Sequence, residues 1–530
     1  MNEPNVNSLQ VAVIARVNDF FSDRTLWQRR LWAVGPFLAL QELREAAQME
    51  PKKVLAPAAI KFLGEEILDL VSKDKAFIPP FQRQYVVNCL KNPLVAESLE
   101  WRTLRALELE LRPTYLIRIA SLLEERTERL GAERVARSIA SHLLDSGYSQ
   151  NYLRIWWKKH VYRGDGSKLP GALRMACEEL IHAAGVTHTV LIPMAQAPRW
   201  PEQNGWVPAD KVRTWITNHC GQVGTLGRQH GAIVIEVHAR DQWAAVRDAI
   251  HQLDSVVARV SVGDPKNSLV PSDNAWVKGF SKPIKMTFAR GVGVFALQRE
   301  GKLLVKGNPT GNEGLVDTAL HLLGPLQSGP ASSAVASGWA AIEATLNLPG
   351  EKEKVRAADH LAALVTCSWT RAELTTLARR YAKTHEDHLA EEINNCTANK
   401  EAANALLVHL RSGLPLTMLH ASDNAALLRL RDIVSTPHAK LLDVETHVSR
   451  AIRRLYRQRN LVLHGGKIDA VALESALRVA APLVGAGFDR IVHAALVEGV
   501  SPGDITARAH LRLRSLKEQG VQVDLVGMLD

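Results

Sequence analysis

Residues 453–469 read "RRLYRQRNLVLHGGKID", a helix that runs into two glycines. Upstream of it Leu441, Val444, Val448, Ile452 and Leu455 recur at helical spacing, which predicts a buried apolar stripe. Continued past Leu455, the stripe reaches Arg459 and then Val462, and Asn460 and His464, four apart, share the face beside it. A cation, an amide and an imidazole therefore converge where an apolar stripe meets a helix end. Burying such groups without partners is costly, so they need one another, a second chain or a ligand. Asp443 and Glu445 in the first turn and the arginines in later turns suit the helix dipole. Gly465 is expected to supply a left-handed stop, and Asp469 to cap the helix that follows.

The stretch belongs to a run of helical patterns that includes "AVASGWAAIEATL", "AADHLAALVTCSW", "RAELTTLARRYAKTHEDHLAEEI" and "DAVALESALRVAAPLV". These predict a compact all-α bundle over residues 330–530. The Pro/Gly/Ser-rich segment "GPLQSGPASS", residues 324–333, reads as the join before it. Residues 180–325 have another character. "THTVLIPM", "GAIVIEVHA", "SVVARVSVG" and "GVGVFALQRE" are short, rich in Val and Ile and bounded by Gly, Pro or Asp, as strands are. "RDQWAAVRDAIHQLDS" has a helical period between the second and third of these, so an α+β or α/β domain is expected, without a derivable strand order. Residues 1–170 read as helical throughout. The expected fold is thus multidomain and mostly α: a helical N-terminal region, a central α+β domain and a C-terminal helical bundle.

Composition narrows the function classes. The chain of 530 residues exceeds what one hydrophobic core serves. A hydrophobic content of 46% and a charged content of 23% are those of a globular protein. Five cysteines lie far apart with no C-x-x-C pair, which excludes a disulfide scaffold or zinc ribbon and fits a reducing cytoplasm. "MNEPNVNSLQ" lacks the pattern of a secretory signal, and no uninterrupted apolar run approaches the ~18 residues of a membrane span, so no membrane role is expected. A net charge of +10 favours a polyanionic partner such as nucleic acid. No glycine run matches a nucleotide-binding fingerprint, and no cofactor or metal is expected.

An arginine five residues before a histidine is by itself a weak pattern; the chain holds three, Arg137 with His142, Arg380 with His385, and Arg459 with His464. Only the last has Asn directly after Arg, an apolar "LVL" filler and a glycine straight after His. At the end of a long helix in an all-helical bundle, "RNLVLHGG" resembles the R-N-x-x-x-H signature of the HEPN superfamily. The pattern from "GWAAIEATL" to "RQRNLVLHGG" is similar to the HEPN domains of bacterial anti-phage defence proteins, including the ApeA-like ones, over about residues 330–500. The resemblance implies a metal-independent endoribonuclease, dimeric or of higher order, in which two motifs form one composite site. Carried over by residue, it implies Arg459, Asn460 and His464 as catalytic, with Glu343 at the acidic position of the early helix. Position 466 is Gly, which departs from the H-x-Y of the toxin–antitoxin subgroup. It further implies RNA, tRNA among the candidates, as substrate, a role in abortive infection, and an N-terminal region that senses a phage trigger, binds a regulatory protein or restrains the nuclease.

The side chains suit that chemistry. RNA brings its own nucleophile, the 2′-OH, and histidine serves either proton step near neutrality. The arginine fork fits phosphate oxygens and the charge that develops on a phosphorane. The products would be a 2′,3′-cyclic phosphate and a 5′-OH. Arg453, Arg454 and Arg457 are read as a cationic surface for the RNA backbone, against the plainer reading of a solvated helix face. In "NYLRIWWKKHVYRGDGSK", residues 151–168, Trp156, Trp157 and Tyr162 interleave with Lys158, Lys159 and Arg163, as a base-stacking surface requires; tryptophans packed inside with wet cations is the favoured alternative. "THEDH" lacks zinc spacing, and Cys220 beside His219 has no identifiable base. A catalytically inactive HEPN module for dimerisation or RNA binding, and a DNA-associated regulator, remain the alternatives.

Overall fold

The computed structural model describes residues 6–125, 131–162, 168–198, 205–221, 226–287, 289–305, 307–308, 310–516 and 523–530. It is mostly helical, with one small antiparallel sheet in the middle of the sequence. The chain divides into two compact units, one built from Met1–His142, His160–Arg174 and Arg290–Asp530, the other from Leu143–Lys159 and Met175–Ala289. This differs from the three regions read from composition. The N-terminal and C-terminal helices share one unit, residues 290–325 go with them, and residues 143–159 go with the sheet.

In the smaller unit the strands lie in the order Trp206–Pro208, Gly231–Ala239, Val186–Gln196, Asn274–Val277 and Ile284–Lys285, with Val270–Pro271 also on Val186–Gln196. Every pairing is antiparallel, which makes the unit α+β. Strand alternation divides its core. Val190, Ile192 and Met194 meet Ala245, Ala249 and Leu253 of the Gln242–Gly263 helix, while Leu191 meets Val212 and Ile216 of the Ala209–Cys220 helix. Asp241 starts the Gln242–Gly263 helix by accepting the amides of Trp243 at 2.9 Å and Ala244 at 3.0 Å, and it also takes the Ser149 hydroxyl at 2.8 Å. "SVVARVSVG" is not a strand but the end of that helix. Its Val256, Val257 and Val260 pack on the sheet core at helical spacing, and burial of that face outweighs the weak β preference of valine.

"GVGVFALQRE" also forms no strand. It belongs to the larger unit, where the short Ala296–Arg299 helix is anchored by the Ala296 amide donating to Asp489 Oδ1 at 2.6 Å. Nor does "GPLQSGPASS" separate domains: it breaks only at Gly329–Pro330, between the Asn312–Ser328 and Ala331–Leu346 helices, which pack on one another.

The Pro437–Leu463 helix, which carries the motif, runs through the larger unit against the Ala331–Leu346, Arg356–Ala382 and Leu473–His493 helices. Its stripe is as expected: Leu441, Val448, Ile452 and Leu455 are fully buried and Val444 partly. Because the helix begins at Pro437, Asp443 and Glu445 lie beyond the first turn. The next helix starts at Leu473 without a side-chain cap, so Asp469 has no capping role. The span Leu473–Glu498 is long and apolar enough to cross a membrane, yet 78% of that window is buried inside the unit, as in a core helix.

Buried charge ties the N-terminal helices to this bundle. Glu42, on the Pro36–Met49 helix, takes Arg454 Nε at 2.7 Å and Arg457 Nε at 3.1 Å; Glu66, on the Pro57–Lys73 helix, takes Arg454 Nη2 at 2.8 Å. Arg29 joins Glu373 at 2.6 Å and Asp423 at 2.5 Å. Burial pushes the Glu42 carboxyl up, but Arg454 and Arg457 outweigh it and hold the group ionised, below its ordinary value.

Candidate active site

The last turn of the motif helix brings three of the expected residues together. Arg459 Nη1 donates to Asn460 Oδ1 at 2.9 Å and meets His464 Nε2 at 2.9 Å. A guanidinium has only donors, so the imidazole accepts, with its lone pair on Nε2. The Asn460 backbone carbonyl receives the amides of His464 at 2.9 Å and Gly465 at 3.2 Å, while its side chain serves Arg459 rather than the imidazole. Asn460 is buried, Arg459 partly buried and His464 exposed, so one end of the triplet is held and the other is open to a ligand.

The glycines divide the helix stop between them. His464 keeps a helical backbone, and Gly466, not Gly465, takes the left-handed conformation with φ of 63°. The turn closes with the Lys467 amide donating to the Leu461 carbonyl six positions back, at 3.0 Å. Gly465 is needed for a close approach, since a Cβ there would stand 2.6 Å from the Leu461 carbonyl oxygen. Beyond the turn, Lys467 pairs with Glu45 at 2.8 Å and the Val471 amide donates to the same carboxylate at 3.2 Å. The loop that follows the motif is therefore pinned to the Pro36–Met49 helix.

The other expected site residues lie elsewhere. Glu343 accepts Trp339 Nε1 at 3.1 Å and pairs with Lys354 at 2.5 Å. Its helix touches the motif helix through Trp339, whose ring lies 4.5 Å from that of Tyr456, but the carboxylate is engaged away from Arg459 and His464. Arg454 and Arg457 are only 1% and 3% exposed and are consumed by Glu42 and Glu66, so they form no cationic surface. Arg453 is bound to Asp359 at 2.6 Å. Lys158 and Lys159 are exposed, in the smaller unit. Trp156 and Trp157 beside them are buried, with Trp156 Nε1 donating to Glu179 at 2.8 Å, so neither ring is free to stack on a base. Arg163 and the Tyr162 side chain lie outside the described residues.

In the two other arginine–histidine pairs the arginine is engaged elsewhere. Arg137 reaches Glu133 at 3.2 Å and His142 is a core residue. Arg380 reaches Asp423 at 2.5 Å, while His385 stacks on Tyr381. Asp387 of "THEDH" caps its own helix through the Ala390 amide. His219 Nδ1 is bonded to the Trp215 carbonyl and Cys220 is buried, its thiol pushed up by burial. Among the described residues no cluster of His, Cys, Asp and Glu is placed to hold a metal ion.

The chain matches no family model, no curated protein and no solved structure. What the site can do therefore rests on its own chemistry. It offers a guanidinium fork, an imidazole nitrogen that accepts from it and an amide oxygen that takes the same Nη1, all at a helix terminus.

Proposed function

We propose that this protein is an endoribonuclease of the HEPN type that cleaves RNA by attack of the 2′-OH on the adjacent phosphate. The observation that carries the reading is the contact between Arg459 Nη1 and His464 Nε2 at an exposed helix end. A phosphodiester arriving there competes for the guanidinium, with which it makes a bidentate, charge-assisted pair. As Arg459 turns to the phosphate, the Nε2 lone pair of His464 becomes free to take the 2′-OH proton. A proton must also reach the leaving 5′-oxygen, and a second motif supplies the second histidine. Exposed Leu463, Ile468 and Val471 flank His464 and give a second copy an apolar surface to cover. In this reading the protein is a cytoplasmic effector of anti-phage defence, restrained or triggered through the N-terminal helices that grip the motif helix.

Incubation of the purified protein with tRNA or total RNA, with and without EDTA, tests the reading by mapping the new ends. Fragments ending in 2′,3′-cyclic phosphate, formed with EDTA present and lost in His464→Ala and Arg459→Ala, are expected. Cleavage that survives both substitutions removes the motif from the mechanism, and cleavage abolished by EDTA removes the metal-free chemistry.

A further inference from the structure

A second feature of the larger unit has no part in that reading. A cavity of about 520 Å³, in the range of small-molecule sites, is walled by N-terminal helices, by the helix that follows Gly131 and by the first half of the motif helix. All of its lining belongs to the larger unit. Among the described residues, eight cationic side chains line it against five carboxylates. The pairing is lopsided. Glu133 is shared by Arg16 at 2.8 Å, Arg137 at 3.2 Å and Arg429 at 3.4 Å, with Asp19 also on Arg16 at 2.9 Å and Glu373 on Arg429 at 3.4 Å, and Asp69 is shared by Arg450 at 2.8 Å and Lys73 at 2.9 Å.

The excess is felt by the side chains in the wall. Arg429 Nε is buried with no hydrogen-bond partner among the described residues. Burial, then the charge of Arg16, pushes the Arg429 guanidinium down to about 10 in spite of Glu133 and Glu373. Burial, then Arg137, Arg450 and Lys73, holds His447 well below the ordinary imidazole range, with Asp69 opposing. Buried cations are normally paired or bound to something, and a hollow ringed by guanidiniums that share too few carboxylates is relieved by an anion. Trp369 backs this wall, with the Arg429 guanidinium 5.8 Å over its ring.

We propose that this cavity binds a phosphorylated small molecule of nucleotide size, its phosphates held by Arg137, Arg429, Arg450 and Lys73. The site is separate from the RNA-cleavage motif. His447 in its wall and His464 lie on one helix, seventeen residues and so ~25 Å apart.

Isothermal titration calorimetry of the full chain with ATP, tripolyphosphate and adenosine, in metal-free buffer at low salt, tests it. ATP is expected to bind at one per chain and adenosine at least ten-fold more weakly; tripolyphosphate binding beside ATP, or ATP binding alone, both support the site. No heat from either phosphate, or adenosine binding as well as ATP, overturns it. The Lys73→Ala/Arg137→Ala double variant should lose ATP affinity at least ten-fold with an unchanged circular-dichroism spectrum. Should that variant fail to fold, Lys440→Glu at the rim, where Lys440 is partly exposed, must produce the same direction of change. Unchanged ATP affinity in the folded variant contradicts the assignment.

Discussion

His464 Nε2 accepts from Arg459 Nη1 across 2.9 Å, so the group that would take a proton is occupied by the group that would hold the phosphate. On the proposed reading, the free and RNA-bound states differ by one exchange, the guanidinium passing from imidazole to phosphate. Lysine in place of Arg459 keeps the charge but not the fork. Arg459→Lys is expected to lower cleavage by about 100-fold or more, in line with the loss of one preorganised donor. The melting temperature should stay near that of the wild type, because Arg459 lies at a partly exposed helix end. Single-turnover rates beside melting curves separate the two effects.

Glu42 holds two buried arginines of the motif helix at once. Glu42→Gln leaves the charges of Arg454 and Arg457 with Glu66 alone, and removal of one partner from a buried pair costs about 3–5 kcal/mol. Denaturant unfolding should register a loss of that order. A loss under 1 kcal/mol would mean that the cluster does not clamp the N-terminal helices to the bundle.

Gln458 sits one residue before Arg459, fully buried, with neither its side-chain oxygen nor its nitrogen partnered among the described residues. An unpaired buried polar group carries a desolvation cost of about 1–3 kcal/mol. Gln458→Met, close in shape and without polar hydrogens, is expected to stabilise the protein by an amount within that range. Destabilisation by the same substitution would show that the amide has a partner when the protein is assembled or loaded.

His142, packed edge-on against Phe37 and Tyr115, is pushed down to about 3 by burial, with Arg112 and Arg118 adding to the shift. The folded state therefore keeps this imidazole neutral where the unfolded chain protonates it. Stability from this residue is fully present above about pH 6.5 and is lost as pH falls from there toward 3, by about 1.4 kcal/mol per unit. His142→Leu should flatten the fall in stability between pH 6.5 and 4, read from denaturation midpoints across that window. An unchanged slope would place the acid sensitivity in other groups.

What the sequence showed of this architecture was what local order dictates. The stripe from Leu441 to Leu455 was legible because helical period and burial coincide over four turns. Arg459, Asn460 and His464 were legible because residues four and five apart at a helix end meet without help from the rest of the fold. Arg454 and Arg457 misled for the opposite reason. Their carboxylates are some 400 positions away, and a cation on a helix reads as solvated until its distant partner is placed. "SVVARVSVG" is rich in valine yet continues the helix before it, and the burial that favours the helix is a property of the packed sheet, not of the segment. The cationic cavity had no sequence signature at all, being assembled from residues 9 to 450. The left-handed glycine was displaced by one position, since the helix keeps His464 inside its last turn.

Whether Arg459 and His464 form a metal-free ribonuclease site is decided by the chemistry of the cut ends. Purified wild-type protein and His464→Ala are incubated with tRNA in EDTA, and the fragments are tested for a 2′,3′-cyclic phosphate and a 5′-hydroxyl. Both ends are expected from the wild type and intact RNA from the variant. Fragments bearing 5′-phosphate, or equal cleavage by both proteins, would contradict such a site.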